Sequence, residues 1–147
     1  MAKGNILLRK AFNEMQKKSP DLQISFDFLQ QSASLGNAGA RYALGTWYLH
    51  GTYVKKNPAL AVEYFLNSIE DNYSSAYFDL AVCYENGSGV RKNYKRAFEC
   101  YLNAALTGDQ QAIYEVGRCY YYGIGTPKNE RIANIWITQA REKGIKE

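Results

Sequence analysis

Ala40, Leu44, Gly45 and Tyr48 stand at i, i+4, i+5 and i+8, a spacing that places small and apolar residues on one stripe of a helix rather than on alternate faces of a strand. The same spacing returns at Ala76, Leu80, Ala81 and Tyr84, and again at Ala112, Val116, Gly117 and Tyr120, so a first helix is predicted in each stretch. Gly51, Gly87 and Gly123 follow as C′ residues, where glycine takes a left-handed conformation without penalty. Asn57, Asn93 and Asn129 then serve as N-caps of a second helix, with Pro58 at the favoured first helical position. That helix carries a small, large, small stripe: Ala61, Phe65 and Ser68, then Ala97, Tyr101 and Ala104, then Ala133, Ile137 and Ala140. Asn72, Gly108 and Gly144 end it.

All these columns recur at a period of 36 residues, and self-similarity at a fixed period of this length marks a solenoid. The expected organisation is one domain over 1–147, divided into repeats 40–75, 76–111 and 112–147 after a degenerate repeat over 4–39. In the degenerate unit Leu8 and Phe12 take the first-helix core positions, Asp21 is the cap, and Ser25, Leu29, Ser32 and Gly36 belong to the second helix. Met15 stands where the others have the closing glycine. The small residue at i+5, Gly45, Ala81 or Gly117, lets a neighbouring helix approach closely. Glycine inside a helix costs about 1 kcal/mol against alanine, so its return implies a packing reason.

The column pattern A-x-x-x-L-G-x-x-Y-x-x-G-x-G-V, then Asn, then K-A or R-A, then A-A-x-x-G resembles the Sel-1-like repeat, a relative of the tetratricopeptide repeat. The best unit is AYFDLAVCYENGSGVRKNYKRAFECYLNAALTGD; the likeness is clear over 40–147 and weak over 4–39. It implies an all-α fold, an α-solenoid of antiparallel helix pairs wound as a right-handed superhelix, whose role is scaffolding through a concave surface that holds partner proteins. A secreted branch of that family staples each helix pair with a disulfide. Here Cys83 and Cys119 share a column with no matching second cysteine per unit, which points away from an extracytoplasmic role.

Composition narrows the function classes. The net charge of +4 falls short of the clustered excess that nucleic-acid binding requires, and no apolar run approaches the length of a membrane span. Only three consecutive apolar residues precede Arg9 and Lys10, too few for a signal-peptide core, so a cytoplasmic protein is expected. Cys83, Cys100 and Cys119 read as buried free thiols, and no metal or cofactor is expected. The Gly87-Ser88-Gly89 run with Arg91 and Lys92 lacks the strand and helix context of a phosphate loop. His50 is the single histidine, and no group is placed to pair with Glu85, Glu99 or Glu115, so no catalytic residue is assigned and a hydrolase is the least favoured class.

The favoured function is a non-enzymatic module that binds a partner protein. Residues half a turn from the first-helix stripe are assigned to the groove: Tyr42, Thr46, Leu49 and His50; Phe78, Val82, Glu85 and Asn86; Tyr114, Arg118, Tyr121 and Tyr122. Tyr42, Phe78 and Tyr114 recur at the repeat period, so inter-helix packing competes with exposure there. Lys55, Lys56, Arg91, Lys92 and Lys128 form a basic loop edge, whose bland reading is a solvated surface. A monomer is expected, with Ile132 and Ile135 of the last helix as the surface through which a second copy or a partner would dock. A narrower alternative is a bacterial immunity protein that neutralises a cognate toxin or effector by covering it.

Overall fold

A computed structural model describes residues 2–145, and among them every regular element is a helix. The order is α1 (Asn5–Met15), α2 (Leu22–Ser34), α3 (Ala38–His50), α4 (Pro58–Ile69), α5 (Ser74–Asn86), α6 (Tyr94–Leu106), α7 (Gln111–Tyr122) and α8 (Glu130–Glu142). The chain falls into two compact units, Met1–Asp71 with α1 to α4 and Asn72–Glu147 with α5 to α8.

The helix boundaries lie where the sequence chemistry puts them. Gly51, Gly87 and Gly123 close α3, α5 and α7 with φ of 73°, 71° and 73°. The next backbone N–H in each case donates back to the helix, Thr52 to the Trp47 carbonyl, Ser88 to Cys83 and Ile124 to Cys119, all at 2.9 Å. Each asparagine of the recurring column then does two jobs. Its backbone N–H donates to the carbonyl of the column tyrosine, Asn57 to Tyr48 at 2.7 Å, Asn93 to Tyr84 at 2.9 Å and Asn129 to Tyr120 at 2.8 Å. Its side-chain oxygen accepts from the third residue onward, Leu60, Arg96 or Ile132, and so caps the following helix. One residue therefore ends the loop and starts the helix.

In the Met1–Asp71 unit the core is Ala11, Leu29, Ala33, Ala40, Ala43, Leu44 and Trp47, with Phe65 fully buried from α4. Gly45 faces that ring so closely that a Cβ there would lie 2.5 Å from Phe65 Cε1. The close approach expected at this column is real. The first repeat corrects the expectation at Phe12, which is 46% exposed, while Ala11 beside it is fully buried. The column of Phe12 packs against the second helix of the preceding repeat: Tyr48 meets Phe26 at 6.4 Å, and in the other unit Tyr120 meets Phe98 at 5.3 Å.

The first loop also closes without a left-handed glycine. Glu14, buried at the end of α1, accepts from the Asp21 backbone N–H at 3.0 Å and pairs with Lys17 at 2.5 Å. The Lys17 hydrogen bond, seconded by that of Asp21, holds the Glu14 carboxyl below its ordinary value. Asp21 in turn caps α2, as expected.

In the Asn72–Glu147 unit the buried residues are the predicted columns, Ala76, Leu80, Ala81, Tyr84, Ala97, Tyr101, Ala104, Ala112, Val116, Gly117, Ala133 and Ala140, joined by Cys83 and Cys119. Ile137 is only half-buried on α8.

Candidate functional site

The groups that stand out chemically in the Asn72–Glu147 unit lie on α5 and α7. Arg118 on α7 donates from Nη2 to both oxygens of Glu85 on α5, at 2.7 and 3.0 Å, and from Nε to Glu115 Oε2 at 2.6 Å. The guanidinium carbon lies 5.9 Å from the centre of the buried Tyr101 ring. Side-chain exposure is 24% for Arg118, 19% for Glu85 and 18% for Glu115, so the three charges are partly withdrawn from water. Burial works against the Arg118 charge, but the hydrogen bonds to Glu85 and Glu115 outweigh it and raise the guanidinium above its ordinary value. Tyr101 is pushed up by burial and then by the two carboxylates, so its hydroxyl stays protonated.

This arrangement corrects the reading that nothing pairs with Glu85 or Glu115. Helical spacing fixed Glu115 and Arg118 on one face, but the 33-residue step from Glu85 to Arg118 is invisible until two hairpins are stacked. Glu99 is exposed and takes no part in that cluster. A charge locked between two carboxylates on a tyrosine ring is rigid, and no acid/base pair results from it.

Beside the cluster, Tyr114, Arg118, Tyr121, Tyr122, Ile137 and Arg141 line an open hollow of about 190 Å³. Tyr121 and Tyr122 stand edge to face at 4.9 Å and are 40% and 68% exposed. Of the remaining groove assignments in this unit, Val82 is half-buried and Asn86 is exposed. Phe78 packs edge-on against Tyr101 at 5.6 Å.

In the Met1–Asp71 unit the assigned residues lie on α3. Tyr42 packs against Phe65 at 5.7 Å, and Thr46 Oγ1 donates back to the Ala43 carbonyl at 2.7 Å. Leu49 is half-buried and His50 exposed. For Tyr42 and Phe78, packing within the hairpin therefore accounts for the ring.

The basic edge separates by unit. Lys55 and Lys56 are exposed in the first; in the second Lys92 lies 5.6 Å over the Tyr94 ring and Lys128 approaches Glu130 at 3.5 Å. Cys83, Cys100 and Cys119 are free thiols; Cys83 and Cys119 are buried as expected, whereas Cys100 is only half-buried. Ile135 is 56% exposed on α8, while Ile132 is half-buried. Among the described residues no cluster of His, Cys, Asp or Glu could hold a metal ion, and no helix is long and apolar enough to cross a membrane.

Sequence reasoning passed over Tyr53. Its ring packs at 5.3 Å from Phe26 and 6.4 Å from Trp47, and its φ of 63° matches the 73° of Gly89 and 69° of Gly125 in the same column. In the sequence Tyr53 shows only as a break in the Gly-x-Gly pattern of its column.

Comparison with known proteins bears on these features. A protein-family model described as the Sel1 repeat matches residues 16–37, 38–73, 74–109 and 110–145. No curated protein matches. Among solved structures, a protective antigen of uropathogenic Escherichia coli displaying an SLR fold is 25% identical, with a TM-score of 0.92 over 97% of this chain and 31% of the other. A Sel1 repeat protein from Oxalobacter formigenes is 27% identical, with a TM-score of 0.88 over 97% of this chain and 60% of the other. Helicobacter pylori cysteine rich protein B shares the fold at 24% identity, with a TM-score of 0.67 over 76% of this chain and 84% of the other. The chain thus spans less than two thirds of the first two structures it matches.

Proposed function

Because the chain belongs to the Sel1 repeat family, whose members are in general protein–protein interaction modules, we propose that it is a non-enzymatic binding module. Its partner protein engages the α5 and α7 face of the Asn72–Glu147 unit. The observation that carries this reading is the exposed Tyr121–Tyr122 pair beside the partly buried Glu85–Arg118–Glu115 cluster. Two rings with few rotatable bonds offer large contact area at low ordering cost, and tyrosine with arginine is what interface anchors favour. A charge cluster already fixed in place needs no rearrangement when a partner arrives. On α3 the half-buried Leu49 and the exposed His50 are the corresponding contacts proposed for the other unit.

Affinity capture from the native host, with the wild-type chain and a Tyr121→Ser, Tyr122→Ser variant run side by side, tests the proposal. Both side chains are exposed, so the variant keeps its fold. A partner retained by the wild type and lost by the variant supports the site; equal retention overturns it.

A further inference from the structure

The Met1–Asp71 unit holds a second feature that the proposed interface does not use. Between α2, α3 and α4 lies an open hollow of about 260 Å³, lined by Gln30, Ala33 and Ser34 from α2, Arg41 and Leu44 from α3, and Tyr64 from α4. Its floor is apolar, since Ala33 and Leu44 are core residues. One wall is the Tyr64 ring, held flat by stacking on Tyr48 at 5.7 Å and an interplanar angle of 10°. The rim carries a guanidinium, an amide and a hydroxyl. Among the described residues, no carboxylate lies within ion-pairing distance of Arg41, unlike Arg118. Ser34 Oγ donates to the Gln31 carbonyl at 2.7 Å, which leaves its lone pairs and Gln30 free to shape the rim.

The repeat itself shows that packing does not demand these residues. At a 36-residue step the column of Gln30 holds Leu66 and Leu102, that of Ser34 holds Glu70 and Leu106, that of Arg41 holds Tyr77 and Ile113, and that of Tyr64 holds Cys100 and Trp136. Only the first pair of repeats brings a cation, an amide, a hydroxyl and a tyrosine to these columns together. A column that departs from its siblings in several places, all facing one hollow, has a reason other than the fold.

We infer that this hollow binds a small carboxylic acid with a compact apolar body. Arg41 takes the carboxylate through its planar fork, and Ala33, Leu44 and the Tyr64 ring receive the hydrocarbon part. The hollow is smaller than the sites of drug-sized ligands, so one ring and a carboxylate fill it. Burial, with smaller contributions from Tyr48 and Glu63, raises the Tyr64 hydroxyl above its ordinary value. It therefore remains a neutral donor at physiological pH.

The test is a titration of the full isotope-labelled chain with sodium phenylacetate, followed by NMR at the Arg41 Nε–Hε group and at the amides of Gln30, Ser34 and Tyr64. Saturable shifts at these groups are expected, weakened by about tenfold in Arg41→Gln, which removes one charge-assisted contact from a half-buried position. A Ser34→Asp variant, which sets a carboxylate beside Arg41 in advance, weakens binding in the same direction and guards against a folding defect in the first. The neutral isostere 2-phenylethanol produces no saturable response. No saturable shift with phenylacetate, or an equal response with 2-phenylethanol or in Arg41→Gln, overturns the inference. Tighter binding of a blocked glutamyl peptide than of the free acid also overturns it, since the site would then belong to a partner's side chain.

Discussion

Arg118 holds both carboxylate oxygens of Glu85, 33 residues upstream, and so ties α7 to α5 across two successive repeats. The bond does not lie alone, because Glu115 occupies the Nε side of the same guanidinium. Removing the arginine therefore leaves two partly buried carboxylates facing one another with no cation between them. Arg118→Met is expected to lower stability by about 2 kcal/mol, less than for a fully buried pair because all three groups keep some water. Adding Glu85→Gln to that variant should restore part of the loss. A double-mutant cycle in urea checks both numbers, and strict additivity would place the contribution outside the ion pair.

The approach of α3 to α4 sets a second expectation. Since a Cβ at position 45 would lie 2.5 and 2.8 Å from two ring atoms of Phe65, Gly45→Ala must displace a fully buried ring. The helix gains about 1 kcal/mol from the exchange of glycine for alanine, and the overpacking costs about 1 to 3 kcal/mol, so a net loss is expected. Phe65→Leu makes room, and the two changes together should cost less than the sum of each alone. Thermal unfolding of the four proteins measures the coupling.

Tyr53 offers a comparison of backbone with side chain. It holds a left-handed backbone that its column leaves to glycine, and its ring contacts Phe26 and Trp47. Tyr53→Ala keeps the strained backbone and loses the ring; Tyr53→Gly loses the ring but relieves the backbone. The glycine variant should therefore be the more stable of the two by about 1 kcal/mol. Urea unfolding gives the order directly, and an alanine variant at least as stable as the glycine one would mean the loop relaxes to another conformation.

Much of this was legible along the chain, and the parts that were not share a cause. Caps, closing glycines and core columns are local: Asn93 needs only its own neighbours to begin α6, and a φ of 71° at Gly87 follows from the residue type. Pairings between repeats are not local. Whether Glu85 has a partner depends on which side chain occupies one position a repeat later. At Tyr42 and Phe78 the contact is local, yet the direction each ring takes was not legible. A ring half a turn from the core stripe can reach back to its own hairpin, and both do.

The cysteines give the expected response to pH. Burial, with Asp79 adding to it, pushes the Cys83 thiol up to about 11. Burial likewise brings Cys100 to about 11 and Cys119 to about 12. In the unfolded chain these thiols ionise near their ordinary value of about 8.5. Between that value and the folded ones, the native state binds more protons than the unfolded state, so stability falls as pH rises. The contribution is whole below the unfolded pKa and gone once pH exceeds the folded values. Urea midpoints measured from pH 7.5 to pH 10.5 should decline, and a Cys83→Ala, Cys119→Ala variant should show a shallower decline from its own starting point. At neutral pH the native thiols should react slowly with a thiolate-trapping disulfide reagent, Cys100 first because it is the least buried, and all three should react at once in denaturant. Rapid labelling of Cys83 or Cys119 in the native protein would show that α5 or α7 opens far more often than a packed core helix does.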